Sequence, residues 1–144
     1  MPPLIDSPNI KFEQSAMAIV LYNENILVTV ELIYGKEILS LPKGHKEENE
    51  ELVDTAIREC FEETNVVLTK ENFVKELLPY SYEFQTPSKQ LIKKTVFPFL
   101  FTVNSEGDPR PKEKRIVSVQ WMSIEQFVNN CTLESVKNLV KSIK

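Results

Sequence analysis

Between residues 50 and 64 the chain places Leu52, Val53, Ala56, Ile57, Cys60 and Phe61 at intervals of three and four, with no Gly or Pro between them. That period predicts an amphipathic helix. The other apolar runs are shorter and β-rich. Residues 15–22 and 26–33 read as a hairpin around Asn23-Glu24-Asn25, and Gly35 turns the chain into a short strand at 37–41. Beyond the helix, residues 66–68 read as a brief strand. Residues 73–84 and 91–103 read as two longer strands joined through Gln85-Thr86-Pro87-Ser88. Pro98 lies inside the second of these, which predicts an edge position or a bulge, because proline cannot donate to the ladder. Residues 116–122 make a further strand with Trp121 near its end. Ser123 then opens a helix through a capping pattern with Gln126, and a last helix is expected over 133–143, capped at Thr132. Strands on both sides of a central helix, with helices at the end, predict an α/β fold in which a mixed sheet lies between helical layers.

The polar positions of the central helix carry the chemistry. At about 100° per residue, Glu59, Glu62 and Glu63 share one side, so their carboxylates are expected to converge. Like charges at that spacing cost roughly 0.2–0.5 kcal/mol per pair, and Arg58 supplies one positive charge nearby. Their arc borders the apolar stripe: with Leu52 at zero, Glu63 falls at about 20° and Glu59 at about −20°. Such positions are poor for plain solvation, although a solvated face is the ordinary reading of an acidic run. Clustered hard oxygen donors suit Mg²⁺ or Mn²⁺. A soft metal does not fit, since Cys60 and Cys131 are far apart and the single His45 has no partner at zinc-ligand spacing.

Gly44, Glu50, Arg58, Glu59, Glu62 and Glu63 fall without insertion on the pattern of the Nudix box, and residues 44–66 resemble that motif. Six fixed positions, each at a frequency of about 7%, match by chance on the order of 10⁻⁷ per start position. Cys60 stands at an aliphatic position, where a buried thiol serves as a small hydrophobe. Asn65 and Asn49 stand where many boxes carry Gly, and Asn is the next best residue for a left-handed backbone. No departure removes a ligand. The flanks Ser40-Leu41-Pro42-Lys43-Gly44-His45 and Val119-Gln120-Trp121-Met122-Ser123 extend the resemblance over most of the chain.

The resemblance implies one domain over residues 1–144, an α/β/α sandwich, and metal-assisted attack of water on a nucleoside diphosphate linked to another group. It assigns Glu59, Glu62 and Glu63 as metal ligands, one of them also the base. The Gly44 carbonyl becomes a further ligand, and Arg58 belongs to the catalytic set by positioning the glutamates. Glu50 reads as a structural carboxylate at the helix entry. Lys43 is a candidate phosphate contact and Glu113 a weak candidate for a distant acidic ligand, being offset from Trp121 by about two residues more than the family pattern. His45 reads as a loop residue. Tyr82, 16 residues beyond Val66, and the segment 94–100 resemble family members that cleave diadenosine polyphosphates, so Tyr82 is a candidate to stack on adenine. The alternation of Tyr80, Tyr82 and Phe84 equally fits a core face.

Composition narrows the partners. A net charge of −4, from 17 Lys and Arg against 21 Asp and Glu, argues against a nucleic-acid binder that relies on phosphate neutralisation. Lys89, Lys93, Lys94, Arg110, Lys112, Lys114 and Arg115 nevertheless concentrate positive charge that a polyphosphate requires. No apolar run reaches the roughly 18 residues of a membrane span. With two cysteines and no basic, apolar leader, a reducing cytoplasm is the expected location. The reading is therefore an enzyme on a nucleotide substrate, with a dinucleoside polyphosphate foremost. Nucleoside triphosphates, ADP-ribose, capped RNA and a non-catalytic nucleotide-binding module are the alternatives.

Overall fold

The computed structural model describes residues 9–143, so the expectation about an N-terminal leader lies largely outside the described residues. Strand β1 (Ile10–Tyr22) and the later strand β7 (Leu91–Thr102) form the spine, running parallel from the pair Ile10 and Leu91 to the pair Leu21 and Thr102. Successive side chains of a strand point to opposite faces. Met17 and Ile19 accordingly join one apolar cluster with Val96, Phe127, Val136 and Val140, while Ala16, Ala18 and Val20 join another with Ala56, Cys60, Phe99 and Phe101. Helix α1 (Leu52–Thr64) covers the second face; α2 (Ile124–Asn130) and α3 (Glu134–Lys141) cover the first. The fold is the expected α/β/α sandwich around a mixed sheet.

The sheet divides where the site forms. β1 pairs with β2 (Asn25–Ile33) only at the hairpin end, Leu21 with Ile26 and Tyr22 with Asn25. Nearer its start β1 takes β4 (Lys43–His45) instead, which sets Gly44 opposite Ala16. β3 (Lys36–Ser40) lies outside β2, after a turn whose central residues Tyr34 and Gly35 both have positive φ, 48° and 76°, as a tight hairpin of this twist needs. On the other flank of β2, β8 (Ile116–Ser123) pairs from Asn25 to Glu31 with a register shift between Val30 and Glu31.

Several expectations change. The run 73–84 is two strands, β5 (Phe73–Glu76) and β6 (Tyr80–Gln85), parted at Pro79, which has no N–H for the ladder. Pro98 sits in an interior strand, not at an edge. It is tolerated because its neighbour is broken there: β6 pairs as far as Val96, β5 resumes at Phe99, and the Leu77 N–H donates to the Pro98 carbonyl at 3.0 Å. Residues 66–68 form no strand, yet Val66 and Leu68 are buried as plugs under α1. Phe61 is 40% exposed with Lys112 Nζ 3.5 Å from its ring centroid, so it leaves the apolar stripe. Thr132 does not cap the last helix; Leu133 holds the cap position with no side-chain bond. The other caps stand: Ser123 and Gln126 form the capping box, and Asn65 closes α1 at φ 67° with its N–H on the Phe61 carbonyl at 2.9 Å.

Candidate active site

Arg58, at the middle of α1, gathers the outer carboxylates. Its Nε donates to Glu50 Oε2 at 2.8 Å and its Nη2 to Glu50 Oε1 at 3.0 Å, a fork that matches a carboxylate. Nη1 donates to Glu62 at 3.0 Å and lies 3.5 Å from Glu59, while Nη2 also reaches the His45 carbonyl at 2.9 Å. Glu50 accepts further bonds from the Thr55 hydroxyl at 2.7 Å and the Glu47 N–H at 3.1 Å. Arg58 first, then these donors, hold its carboxyl down at about 2. Oε1 thus accepts three bonds and Oε2 one, an arrangement that ties Glu50 to Arg58 and the helix entry.

The three glutamates of the motif do not converge on one point. Glu59 and Glu62 turn toward Arg58, whereas Glu63 turns inward to Arg115, whose Nη2 donates to Glu63 Oε2 at 2.6 Å. The other Glu63 oxygen accepts the Lys43 N–H at 3.3 Å. Helical spacing brings the Cα positions together, but two guanidinium groups on opposite sides pull the carboxylates apart. Among the described residues no three acidic, His or Cys side chains already surround one point.

Burial dominates their acidity. Glu63, 1% exposed, is pushed up to about 8: desolvation outweighs the Arg115 charge beside it. Glu59 rises to about 7, through burial first and then a hydrogen bond shared with Glu62. Carboxylates held out of water this way gain most from a cation of higher charge, and the donor set of hard oxygens fits a divalent ion of the Mg²⁺ or Mn²⁺ type. Gly44 supports the same corner. A Cβ there would stand 1.6 Å from Glu59 Oε2, so only glycine lets that carboxylate lie against the β4 backbone.

A cavity of about 530 Å³ opens over Glu59 and Gly44, and its lining also carries the cations Lys43, Lys94 and Arg115. His45 is on strand β4, not in a loop, and lines the same space. Its Nε2 lies 3.1 Å from Lys94 Nζ, and burial holds both groups below their usual proton affinity. Glu113 sits 3.2 Å from Arg115, at the rim. Of the other basic residues, Lys112 rests over Phe61 and Arg110 pairs with Asp108 at 3.0 Å, so those two serve the outside of α1. Tyr82 is the cross-strand partner of Lys94. It is 41% exposed and stacks on Tyr80 at 6.5 Å, whereas Tyr80 packs into the core, so the two readings divide between neighbouring residues. A second, more apolar cavity of about 410 Å³ lies between Tyr82, Ile33 and Val136 and shares Glu31 and Lys43 with the first. Glu31 had no motif to mark it, and Arg115 stood out only as one member of a basic run.

A mixed sheet between helical layers brings Glu59 of α1 and the cations Lys43, Lys94 and Arg115 to one cavity, an arrangement suited to an anionic substrate. The NUDIX domain family model matches residues 12–141, and the chain belongs to that family; it is a pyrophosphohydrolase. Enzymes of the family generally use divalent ions such as Mg²⁺ or Mn²⁺ and act on nucleotide small molecules. The chain is 30% identical over 111 residues to phosphatase NudJ of Escherichia coli K12, covering 76% of this chain and 67% of that protein. The fold matches a Caenorhabditis elegans Ap4A hydrolase at a TM-score of 0.68, with 19% identity and 90% and 93% of the two chains covered. It also matches a MutT NUDIX hydrolase from Burkholderia pseudomallei at a TM-score of 0.72, with 15% identity and 93% and 99% covered.

Proposed function

We propose that the substrate is a dinucleoside polyphosphate of the diadenosine tetraphosphate type, cleaved at a phosphoanhydride by water. The observation that carries this reading is the pairing of three cations lining one cavity, Lys43, Lys94 and Arg115, with an exposed Tyr82 lining a second. A long phosphate chain needs several positive groups in a row, and a second nucleoside needs a second seat. The C. elegans neighbour, an Ap4A hydrolase of the same fold, agrees with this choice.

In this reading Glu59, Glu62, Glu63 and the Gly44 carbonyl hold the divalent cation, Mg²⁺ or Mn²⁺. When bound, such ions offset the charge of the bridging phosphates and make the attacking water more acidic. One of the three carboxylates takes the water proton as the new phosphorus–oxygen bond forms, and the old anhydride bond breaks with its electron pair on the departing phosphate. Arg58 keeps Glu62 and Glu59 aimed. Lys43 contacts phosphate as a point charge, Tyr82 stacks on a base, and Glu113 is the weakest member, a rim carboxylate. Residues 1–144 act as one hydrolase domain in the cytoplasm; among the described residues no helix is long and apolar enough to cross a membrane.

A panel of dinucleoside polyphosphates, nucleoside triphosphates, ADP-ribose and capped RNA, each with Mg²⁺ and with Mn²⁺, tests the reading. Diadenosine tetraphosphate is expected to give the highest kcat/KM, and preference for ADP-ribose or a triphosphate would replace the substrate assignment. Glu62→Gln and Glu63→Gln should each abolish most turnover with the fold intact. Retained activity in both would remove the metal assignment.

A further inference from the structure

Glu63 is tied into the site by a residue of a distant strand. Arg115 immediately precedes β8, and its carbonyl accepts the Leu32 N–H at 2.9 Å, which fixes its backbone to β2. Its guanidinium spans two carboxylates from different elements: Nη1 donates to Glu31 Oε1 at 2.5 Å, and Nη2 to Glu63 Oε2 at 2.6 Å. Among the described residues Arg115 is the one cationic side chain bonded to Glu63, and it is likewise the one bonded to Glu31. Both acids are well shielded, with 13% and 1% of their side chains exposed, while Arg115 is 47% exposed on the cavity side.

The backbone is shaped for this meeting. In the β2–β8 ladder Val30 opposes Ser118 but Glu31 opposes Ile116, so Val117 is an extra residue. A bulge of this kind bends the strand and re-aims the side chains beside it. Here it lies directly beside Glu31 and two residues along the chain from Arg115. An arginine left at the cavity rim without Glu31 would have Glu113, at 3.2 Å, and open solvent as competing partners. Glu31 removes that freedom by holding one fork of the guanidinium while the other faces Glu63.

We propose that Glu31 and Arg115 are a positioning pair for Glu63: Glu31 anchors the guanidinium, and the guanidinium fixes the direction of the Glu63 carboxylate. The pair rests on the reading of Glu63 as a cation ligand, but it assigns a function to two residues outside the motif. Glu31 then affects catalysis without touching the helix, acting through Arg115 alone.

The test is a double-mutant cycle of Glu31→Gln and Arg115→Gln, read on the full chain in two ways. In steady-state hydrolysis of diadenosine tetraphosphate, Glu31→Gln is expected to lower kcat by about tenfold or more with KM within about twofold, the signature of a misaimed group. The Arg115→Gln variant should lose at least as much, and Glu31→Gln should add nothing on top of it. Arg115→Lys, a point charge that cannot fork, should stay closer to Arg115→Gln than to the parent. Independently of turnover, the Mn²⁺ concentration giving half of the metal-induced rise in Tm should move in Glu31→Gln, and that movement should vanish in the Arg115→Gln background. Additive effects, an unchanged kcat in Glu31→Gln, or full rescue by Lys would each overturn the pair. Failure of the parent to hydrolyse the dinucleotide would instead overturn the substrate reading, and the Mn²⁺ cycle would still decide the positioning role.

Discussion

Gly44 and Glu59 occupy space that no other residue at position 44 would leave free: an added Cβ would lie 1.6 Å from Glu59 Oε2 and 2.0 Å from its carboxyl carbon. The obstructed atoms are the end of a side chain, not backbone, so the collision moves a carboxylate and leaves the fold standing. Gly44→Ala is therefore expected to shift Tm by no more than a few degrees while lowering kcat about 10- to 100-fold, as a misplacement of about 1 Å does. Thermal melts and initial rates on one preparation check it. A variant that keeps full kcat would show that the Glu59 position beside β4 is immaterial to the chemistry.

Arg58 works on the structural side of the same corner. It joins Glu50 by a fork, Glu62 by one bond and the His45 carbonyl by another, which couples the entry of α1 to β4. Bonds to charged partners of this kind contribute about 1.5–3 kcal/mol each when one partner is removed, discounted here because Arg58 is a quarter exposed. Arg58→Gln should destabilise by about 2–3 kcal/mol in urea unfolding and also lower kcat, because Glu62 and Glu59 lose their common anchor. Arg58→Lys should recover part of the stability and little of the rate, since an ammonium cannot hold Glu50 and Glu62 in one plane.

The buried acids make stability depend on pH in a defined direction. Glu59 and Glu63 bind protons more tightly in the folded chain, at about 7 and about 8, than in the unfolded chain, near the ordinary value of 4.5. Between those values the folded state carries more protons, so stability falls as pH rises. Glu50 has the opposite shift, to about 2, and its contribution is present above 4.5 and lost as pH falls toward 2. In chelator, Tm should peak near mildly acidic pH and decline up to about pH 8. Mg²⁺ should restore most at the alkaline end, where the carboxylates are free of protons. Glu63→Gln should flatten the decline and match or exceed the parent at pH 8.5 in chelator, although it lacks turnover. A parent Tm that climbs steadily from pH 5 to 8 without metal would contradict the burial of these acids.

What could be read along the chain was what lies close along the chain. The acidic set, Gly44 and Arg58 fall within one helix and its approach, where spacing of three and four residues dictates proximity. Asn65 and Ser123 announced the end of one helix and the start of another through backbone chemistry local to them. Arg115 meets Glu63 across 52 positions and Glu31 across 84, and Lys94 meets His45 across 49. Those pairs exist because β8 lies beside β2 with one residue bulged, and because β4 takes the place of β2 against β1. No local period encodes either arrangement. The convergence of the three glutamates failed for the same reason: it was set by arginines, one of which arrives from another strand.

Tyr82 and Tyr80 provide a matched pair for the nucleoside seat, since they are stacked neighbours on one strand with different surroundings. Both line the second cavity, but Tyr80 packs against the core cluster beneath α3, while Tyr82 stands beside Lys94 and is 41% exposed. If a base stacks on Tyr82, Tyr82→Ala should raise KM for diadenosine tetraphosphate by the equivalent of about 1–3 kcal/mol, roughly 5- to 150-fold, with little change in Tm. The loss should be smaller for a substrate with one nucleoside, because only the second seat is damaged. Tyr80→Ala should do the reverse, lowering Tm through a lost core contact and moving KM only as far as it disturbs its neighbour. Tyr82→Phe keeps the ring and should keep the affinity. Equal KM values for Tyr82→Ala and the parent on every adenine dinucleotide would leave the second cavity without a role in substrate choice, and Lys43 and Lys94 would then carry the selection by phosphate length alone.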